Sequence, residues 1–254
     1  MIIITINPKK SNPKKAIIMA AGKGNRLLPL TATVPKPLIA VNGKIMIETL
    51  IESLLQNHIT EIYIVTGHLS EKFSYLPKKY STAKITLLFN PHYETSNNIS
   101  SLYVAREHLG DCIIADGDFI INNPKIFAAS GETFATSGYF SAWINETEET
   151  AEWLQAADSN GYVLSCSRNG GKSGWQLFSI SFWNNEDGEK LRRHLEETFQ
   201  RQAITDIYWD DIPMFLYKND YRLKIKPINL TDLQEIDTLA DLESLENLAT
   251  ANKQ

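Results

Sequence analysis

Short apolar runs alternate with amphipathic stretches through the first half of the chain. Residues 16–21 (A-I-I-M-A-A) form an unbroken apolar run of the length of a buried strand. Ile45, Met46, Ile47, Leu50, Ile51, Leu54 and Leu55 then recur at helical spacing. A strand over 62–65, a short helix over 71–79, a strand over 84–89, a helix over 98–109 and a strand over 112–115 follow. Strands that alternate with helices predict an α/β fold with a doubly wound, mostly parallel sheet. Ligands of such sheets bind beyond the carboxyl ends of the strands. The segment after residue 21, Gly67-His68 and the Asp116–Asp118 turn should therefore meet at one edge.

The middle third changes period. Segments 134–143, 151–156, 162–167 and 175–183 read as strands separated by polar turns, an antiparallel excursion expected to cover the site. Helices over 186–200 and 205–217, a strand over 222–228 and a helix over 238–249 complete the chain. With no repeat, low-complexity segment or linker, residues 1–15 read as an N-terminal extension and 16–254 as one domain.

Composition narrows the class. The chain has 254 residues, 43% hydrophobic and 22% charged, as in ordinary globular proteins. A net charge of −5 argues against general nucleic-acid binding but leaves room for a small anion at a locally basic site. No apolar stretch spans a bilayer, and the isoleucine-rich start has its basic residues after the apolar run, the reverse of a secretory signal. A cytoplasmic location is expected. Cys112 and Cys166 read as buried thiols, not as a disulfide or a metal pair.

The candidate chemistry begins where the first run breaks. Ala20-Ala21-Gly22-Lys23-Gly24-Asn25-Arg26-Leu27 places two glycines and two cations directly after a strand. Glycines let backbone N–H groups close around phosphate oxygens, and Lys23 and Arg26 bring charge. The dinucleotide fingerprint needs a glycine where Leu27 stands, and a P-loop ending at Gly171-Lys172-Ser173 needs one where Cys166 stands. Residues 20–31 (A-A-G-K-G-N-R-L-L-P-L-T) with Pro35-Lys36-Pro37-Leu38 instead resemble the signature of nucleotidyltransferases. Residues 90–102 (N-P-H-Y-E-T-S-N-N-I-S-S-L), 180–183 (I-S-F-W), 206–210 (D-I-Y-W-D) and 235–238 (E-I-D-T) look like the LicC type of CTP:phosphocholine cytidylyltransferase. That family also includes enzymes acting on phosphonate headgroups. The similarity runs from about residue 16 to 248, matches poorly over 137–173 apart from Glu152-Trp153, and has no counterpart before residue 16.

The resemblance implies a Rossmann-like nucleotide-diphospho-sugar transferase fold. It implies CTP as donor and Mg²⁺ as cofactor, with in-line attack on the α-phosphorus and pyrophosphate leaving. Gly22, Gly24 and Arg26 would hold the triphosphate and Lys36 would reach the reacting phosphates; Lys23 stands at a variable position. Asp118 matches the family's strand-end metal ligand, although Asp116-Gly117 by itself is an ordinary turn. Asp237 is the second expected ligand, although alone it could be a helix cap. Around the nucleotide the expected residues are Ala20, Ala21, Gly67, Asn98, Ser101 and Asp116, with Asn98 equally suited to capping a helix. For a cationic acceptor, Trp153, Tyr208 and Trp209 supply aromatic faces and Asp206, Asp210 and Glu235 negative charge, while one of Tyr208 and Trp209 should pack in the core.

Phosphocholine leads as acceptor, with 2-aminoethylphosphonate beside it because the same acids suit a primary ammonium better. A sugar-phosphate nucleotidyltransferase and a nucleotide-binding module without catalysis are the other readings. Against the module, Arg26, Lys36, Asp118 and Asp237 are all present. A homodimer and fusion to a downstream enzyme remain open expectations.

Overall fold

The computed structural model describes residues 13–128, 134–147, 149–201 and 206–251. Among the described residues thirteen strands and five α-helices follow one another. They are β1 (Lys15–Ala20), a hairpin of β2 (Ala40–Val41) and β3 (Lys44–Ile45), α1 (Met46–Gln56), β4 (Glu61–Thr66), α2 (Leu76–Lys79), β5 (Lys84–Phe89) and α3 (Ile99–Val104). β6 (Cys112–Asp116), β7 (Phe119–Ile121), β8 (Gly138–Ile144), β9 (Leu154–Ala157), β10 (Val163–Ser167) and β11 (Gly174–Trp183) come next. α4 (Asn185–Arg201), β12 (Lys226–Ile228), β13 (Leu233–Glu235) and α5 (Leu239–Ala251) close the series. Most of the expected N-terminal extension lies outside the described residues, and Lys15 already belongs to β1. No helix among the described residues is long and apolar enough to cross a membrane.

One sheet organises the molecule, with strand order β10-β9-β11-β6-β1-β4-β5, with β8 branching from β11 and β12 pairing with β8. β6, β1, β4 and β5 run parallel, as the alternating pattern predicts. The apolar run of β1 is continuous because both of its faces are covered. Ala16, Ile18 and Ala20 join Ile47, Leu50, Ile51 and Leu54 of α1 on one side. Ile17 and Met19 join Ile99 and Leu102 of α3 and Leu191 and Leu195 of α4 on the other.

The expected antiparallel excursion is present: β11 pairs antiparallel with β6, so it extends the same sheet sideways. Two other expectations change in detail. The expected strand over 222–228 is regular only over β12, because Leu223 and Ile225 bond to Val163 and Gly161 while Lys224 bonds to Ser137. The expected helix over 205–217 begins outside the described residues and is one π-helical turn, Ile212–Leu216, preceded by a tight turn. That turn is set by the Asp211 carboxylate, whose Oδ2 accepts from Tyr208 N at 3.0 Å.

Candidate active site

The carboxyl ends of β1 and β6 lie side by side, and Gly117 N donates to Met19 O at 2.9 Å. The chain leaving β1 turns at Gly24, whose φ of +63° favours glycine. A Cβ there would also stand 2.9 Å from Thr31 Cγ2 and 3.0 Å from Lys36 Cβ. Thr31 fastens this turn by donating to Gly24 O at 3.0 Å, and the His68 ring bonds Thr31 O at 2.8 Å. Pro35–Leu38 then folds back so that Lys36, only 8% exposed, points to the carboxylates beyond β6.

Those carboxylates come from distant parts of the chain. β7 pairs antiparallel with β13, Phe119 opposite Glu235, which carries residues 235–237 alongside Asp118. Carboxylate oxygens of Asp118, Glu235 and Asp237 lie within 4.8 Å of one another. Lys36 Nζ donates at 2.6 Å to both Asp118 Oδ2 and Asp237 Oδ1, and Arg26 Nη2 donates to Asp237 Oδ1 at 2.8 Å. Asp237 is free of capping duty because Thr238 and Asp241 bond each other reciprocally at the start of α5.

The packing of charge is visible in the acid–base chemistry. Burial would lower the Lys36 ammonium, but the paired Asp118 and Asp237 carboxylates outweigh it and raise it to about 12. Burial, then the neighbouring Asp118, raises Asp116 and Glu235 well above the carboxylate range. Burial likewise raises Glu152, with Asp237 adding to it. The buried Asp118 Oδ1 has no hydrogen-bond partner among the described residues. Three converging carboxylates and an orphaned oxygen make a donor set suited to a hard divalent cation.

Two pockets share this centre. One, about 190 Å³, is lined by Ala20, Ala21, Gly22, Gly24, Lys36, Asn90, Tyr93, Asn98, Ser101, Asp116 and Asp118, among others. The other, about 220 Å³, is lined by Arg26, Asn98, Asp116, Asp118, Glu152, Trp153, Ser179, Tyr208, Asp210, Glu235 and Asp237, among others. Asn98, Asp116 and Asp118 form the common wall.

The expected residues sort accordingly. Trp153, Tyr208, Asp210 and Glu235 meet in the second pocket, and Glu235 also stands in the carboxylate triad. Trp209 does not reach it: fully buried, it packs against Tyr139 and Trp183 in the core. Asp206 is exposed and lines neither pocket. Lys23 turns outward to Glu94 at 3.3 Å, because the glycine turn directs its side chain away from the pocket. Gly67 is not a wall either; it packs so closely behind the loop that a Cβ would lie 2.7 Å from Ala21 O. Asn98 stands at the start of α3 without capping it through its side chain; its Oδ1 accepts from Trp209 N at 3.0 Å and so ties the 208–211 turn to the first pocket.

The Nucleotidyl transferase family matches residues 15–149. The chain belongs to the nucleotidyltransferase family. This nucleotidyltransferase is 33% identical over 243 residues to the 2-aminoethylphosphonate cytidylyltransferase of Lancefieldella rimae, covering 94% of this chain and 95% of the relative. It is also 33% identical over 241 residues to the choline-phosphate cytidylyltransferase of Haemophilus influenzae, covering 94% and 99%. Among solved structures, CTP:phosphocholine cytidylyltransferase (LicC) from Streptococcus pneumoniae superposes with a TM-score of 0.83 at 31% identity, covering 92% of this chain and 98% of that one.

Sequence reasoning missed several walls of this nucleotidyltransferase. Ser96, whose buried hydroxyl lacks a protein partner, lines the first pocket, and Asn90 anchors Ser100 and Ser101 beside it at 2.9 and 3.2 Å. Both fall within the residue 90–102 stretch that carries the resemblance, which was the available signal. Glu152 and Ser179 line the second pocket. Glu152 is flagged by its neighbour Trp153; Ser179, which lies where β11 shifts register against β8, carries no sequence signal.

Proposed function

We propose that this chain is a divalent-metal-dependent cytidylyltransferase that transfers CMP from CTP to a small cationic phosphate or phosphonate, releasing pyrophosphate. The adjoining pockets with their common wall at Asp116 and Asp118 carry this reading. Donor and acceptor held on either side of one wall present their phosphorus and oxygen to each other there. In the first pocket the glycine turn and Lys36 receive the triphosphate, while Ser96, Asn98 and Ser101 offer hydrogen bonds to ribose and base. Asp118, Asp237 and Glu235 would hold the metal, Mg²⁺ in this reading, which supplies charge neutralisation at the α-phosphate when bound.

The acceptor's ammonium belongs in the second pocket. Of the six carboxylates that line it, Asp118, Glu235 and Asp237 are taken up by the metal in this reading, which leaves Asp116, Glu152 and Asp210 for the ammonium; among the described residues two aromatic rings, Trp153 and Tyr208, line it as well. Those rings stand edge to face at 83°, so they form a corner and not a cage. Carboxylates reward a group that donates hydrogen bonds, and this supports a primary ammonium. We place 2-aminoethylphosphonate first and phosphocholine, which the Trp153–Tyr208 corner favours, second. The test is pyrophosphate release with CTP and Mg²⁺, comparing 2-aminoethylphosphonate, phosphoethanolamine, phosphocholine and sugar phosphates. A preference for the two amines is expected. A preference for phosphocholine reverses the order, and release only with sugar phosphates overturns the headgroup reading.

Asp210 gives this pocket a pH dependence. It is 4% exposed, and burial raises its carboxyl to about 7, with the Tyr139 hydroxyl and Asp211 as its charged and polar neighbours. The acid is uncharged below that value and gains its charge as pH rises through it. Its pull on a cation therefore grows with pH, and the acceptor KM is expected to fall about tenfold between roughly pH 6 and 8. Asp210→Asn should flatten that fall. An unchanged slope in the variant would assign it to the acceptor's own phosphate or to the other raised acids of the pocket, Asp116, Glu152 and Glu235.

A further inference from the structure

We propose that Arg168 is a positioning residue for acceptor binding, clamping the two sides of the headgroup pocket from behind; this rests on that pocket being the acceptor site. Arg168 follows the last residue of β10, and β10 pairs antiparallel with β9 with Ser167 opposite Leu154. One further step along that register sets Arg168 beside Trp153. Its guanidinium lies 5.4 Å from the Trp153 ring centre and 4.3 Å from that of Phe215, which meets Trp153 edge-on at 5.4 Å. Its Nη2 also pairs with Asp211 Oδ1. Asp211 is the residue whose other oxygen accepts from Tyr208 N. A single side chain thus stacks on one aromatic wall and, through Asp211, holds the turn that presents Tyr208 and Asp210. Arg168 itself does not line the pocket.

The neighbouring Gly170-Gly171, whose likeness to a P-loop has no role in phosphate binding here, belongs to the same device. Gly170 has φ of +61°, and a Cβ on it would lie 2.0 Å from Thr150 O. Gly171 and Thr150 exchange two hydrogen bonds, at 2.9 and 3.1 Å. The turn that delivers Arg168 is therefore pinned to the segment that begins Glu152-Trp153. Arginine suits the task because a flat guanidinium can stack on rings while its edge pairs with a carboxylate.

The test is steady-state kinetics on the full chain for Arg168→Ala, Arg168→Lys and Trp153→Ala, varying CTP and acceptor separately. The Arg168 side chain is 49% exposed and that of Asp211 is 3% exposed, so the alanine variant leaves a buried carboxylate unpaired. Arg168→Ala/Asp211→Asn is measured alongside to remove that charge. Arg168→Ala is expected to raise the acceptor KM about tenfold with CTP KM and kcat within about twofold of wild type, since loosened walls weaken only the group they hold. Arg168→Lys, which keeps the ion pair but not the stack, should fall between, and the double variant should regain thermal stability while its acceptor KM stays high. Recovery of KM together with stability in the double variant would reduce Arg168 to a structural residue. If Trp153→Ala raises the acceptor KM and Arg168→Ala does not, the clamp fails alone; if neither does, the pocket assignment falls and the clamp with it.

Discussion

Asp118→Asn is expected to lower turnover by about 10²- to 10³-fold, the effect of losing several kcal/mol of metal-assisted charge stabilisation. Asp118 is where the converging interactions of the centre meet. It stands on the wall between both pockets, accepts from Lys36 at 2.6 Å, and keeps a second buried oxygen without a partner among the described residues. The amide matches the carboxylate in size but lacks its charge, so it keeps the shape and removes the ligand. The fold should lose less than in a clean break of the pair, because Lys36 keeps Asp237 and an amide oxygen as acceptors and the lost charge relieves the crowding that raises Asp116 and Glu235. Thermal unfolding measured beside turnover separates the two effects. Titration with Mn²⁺ gives a readout independent of activity, and weaker binding is expected. Turnover within a few-fold of wild type would show that the metal is held elsewhere.

Much of this centre was legible because its signals are local. The glycine turn, Pro35-Lys36-Pro37 and the Asp116–Asp118 strand end are each contiguous, and the doubly wound order places them together. The apolar run of β1 could be read because burial on both faces leaves no polar alternation to confuse it. What could not be read depends on direction or on distant partners. Tyr208 and Trp209 are adjacent aromatics, and only the Asp211-held turn decides that Tyr208 faces the pocket and Trp209 the core. Asp206 and Asp210 belong to one acidic–aromatic stretch, yet one is exposed and the other 4% exposed on the pocket wall. Glu235 looked like a partner for a cationic substrate; the β7–β13 ribbon, invisible in either short segment, also places it beside Asp118 and Asp237.

Lys36→Ala should cost both stability and turnover, and the two losses should respond differently to Mg²⁺. Lys36 is 8% exposed and its ammonium sits between Asp118 and Asp237 at 2.6 Å from each. Removing it leaves the carboxylate triad with Arg26 as the nearby cation, and breaking such a buried pair costs about 3–5 kcal/mol. A divalent cation suits the same carboxylates, so millimolar Mg²⁺ is expected to raise the melting temperature of the variant more than that of the wild type. Turnover should stay about 10²- to 10³-fold down in Mg²⁺, because the ion replaces the charge that stabilises the fold but not the ammonium that, in the proposed function, reaches the triphosphate. Lys36→Arg tests shape, since the ammonium sits 2.6 Å from both Asp118 and Asp237 on a side chain only 10% exposed, which leaves a wider head group little room to reach the same point. Differential scanning fluorimetry across a Mg²⁺ series, run beside pyrophosphate release, measures both quantities on one preparation. If Mg²⁺ restores turnover along with melting temperature, Lys36 is a counter-ion for the acids and has no part in the reaction.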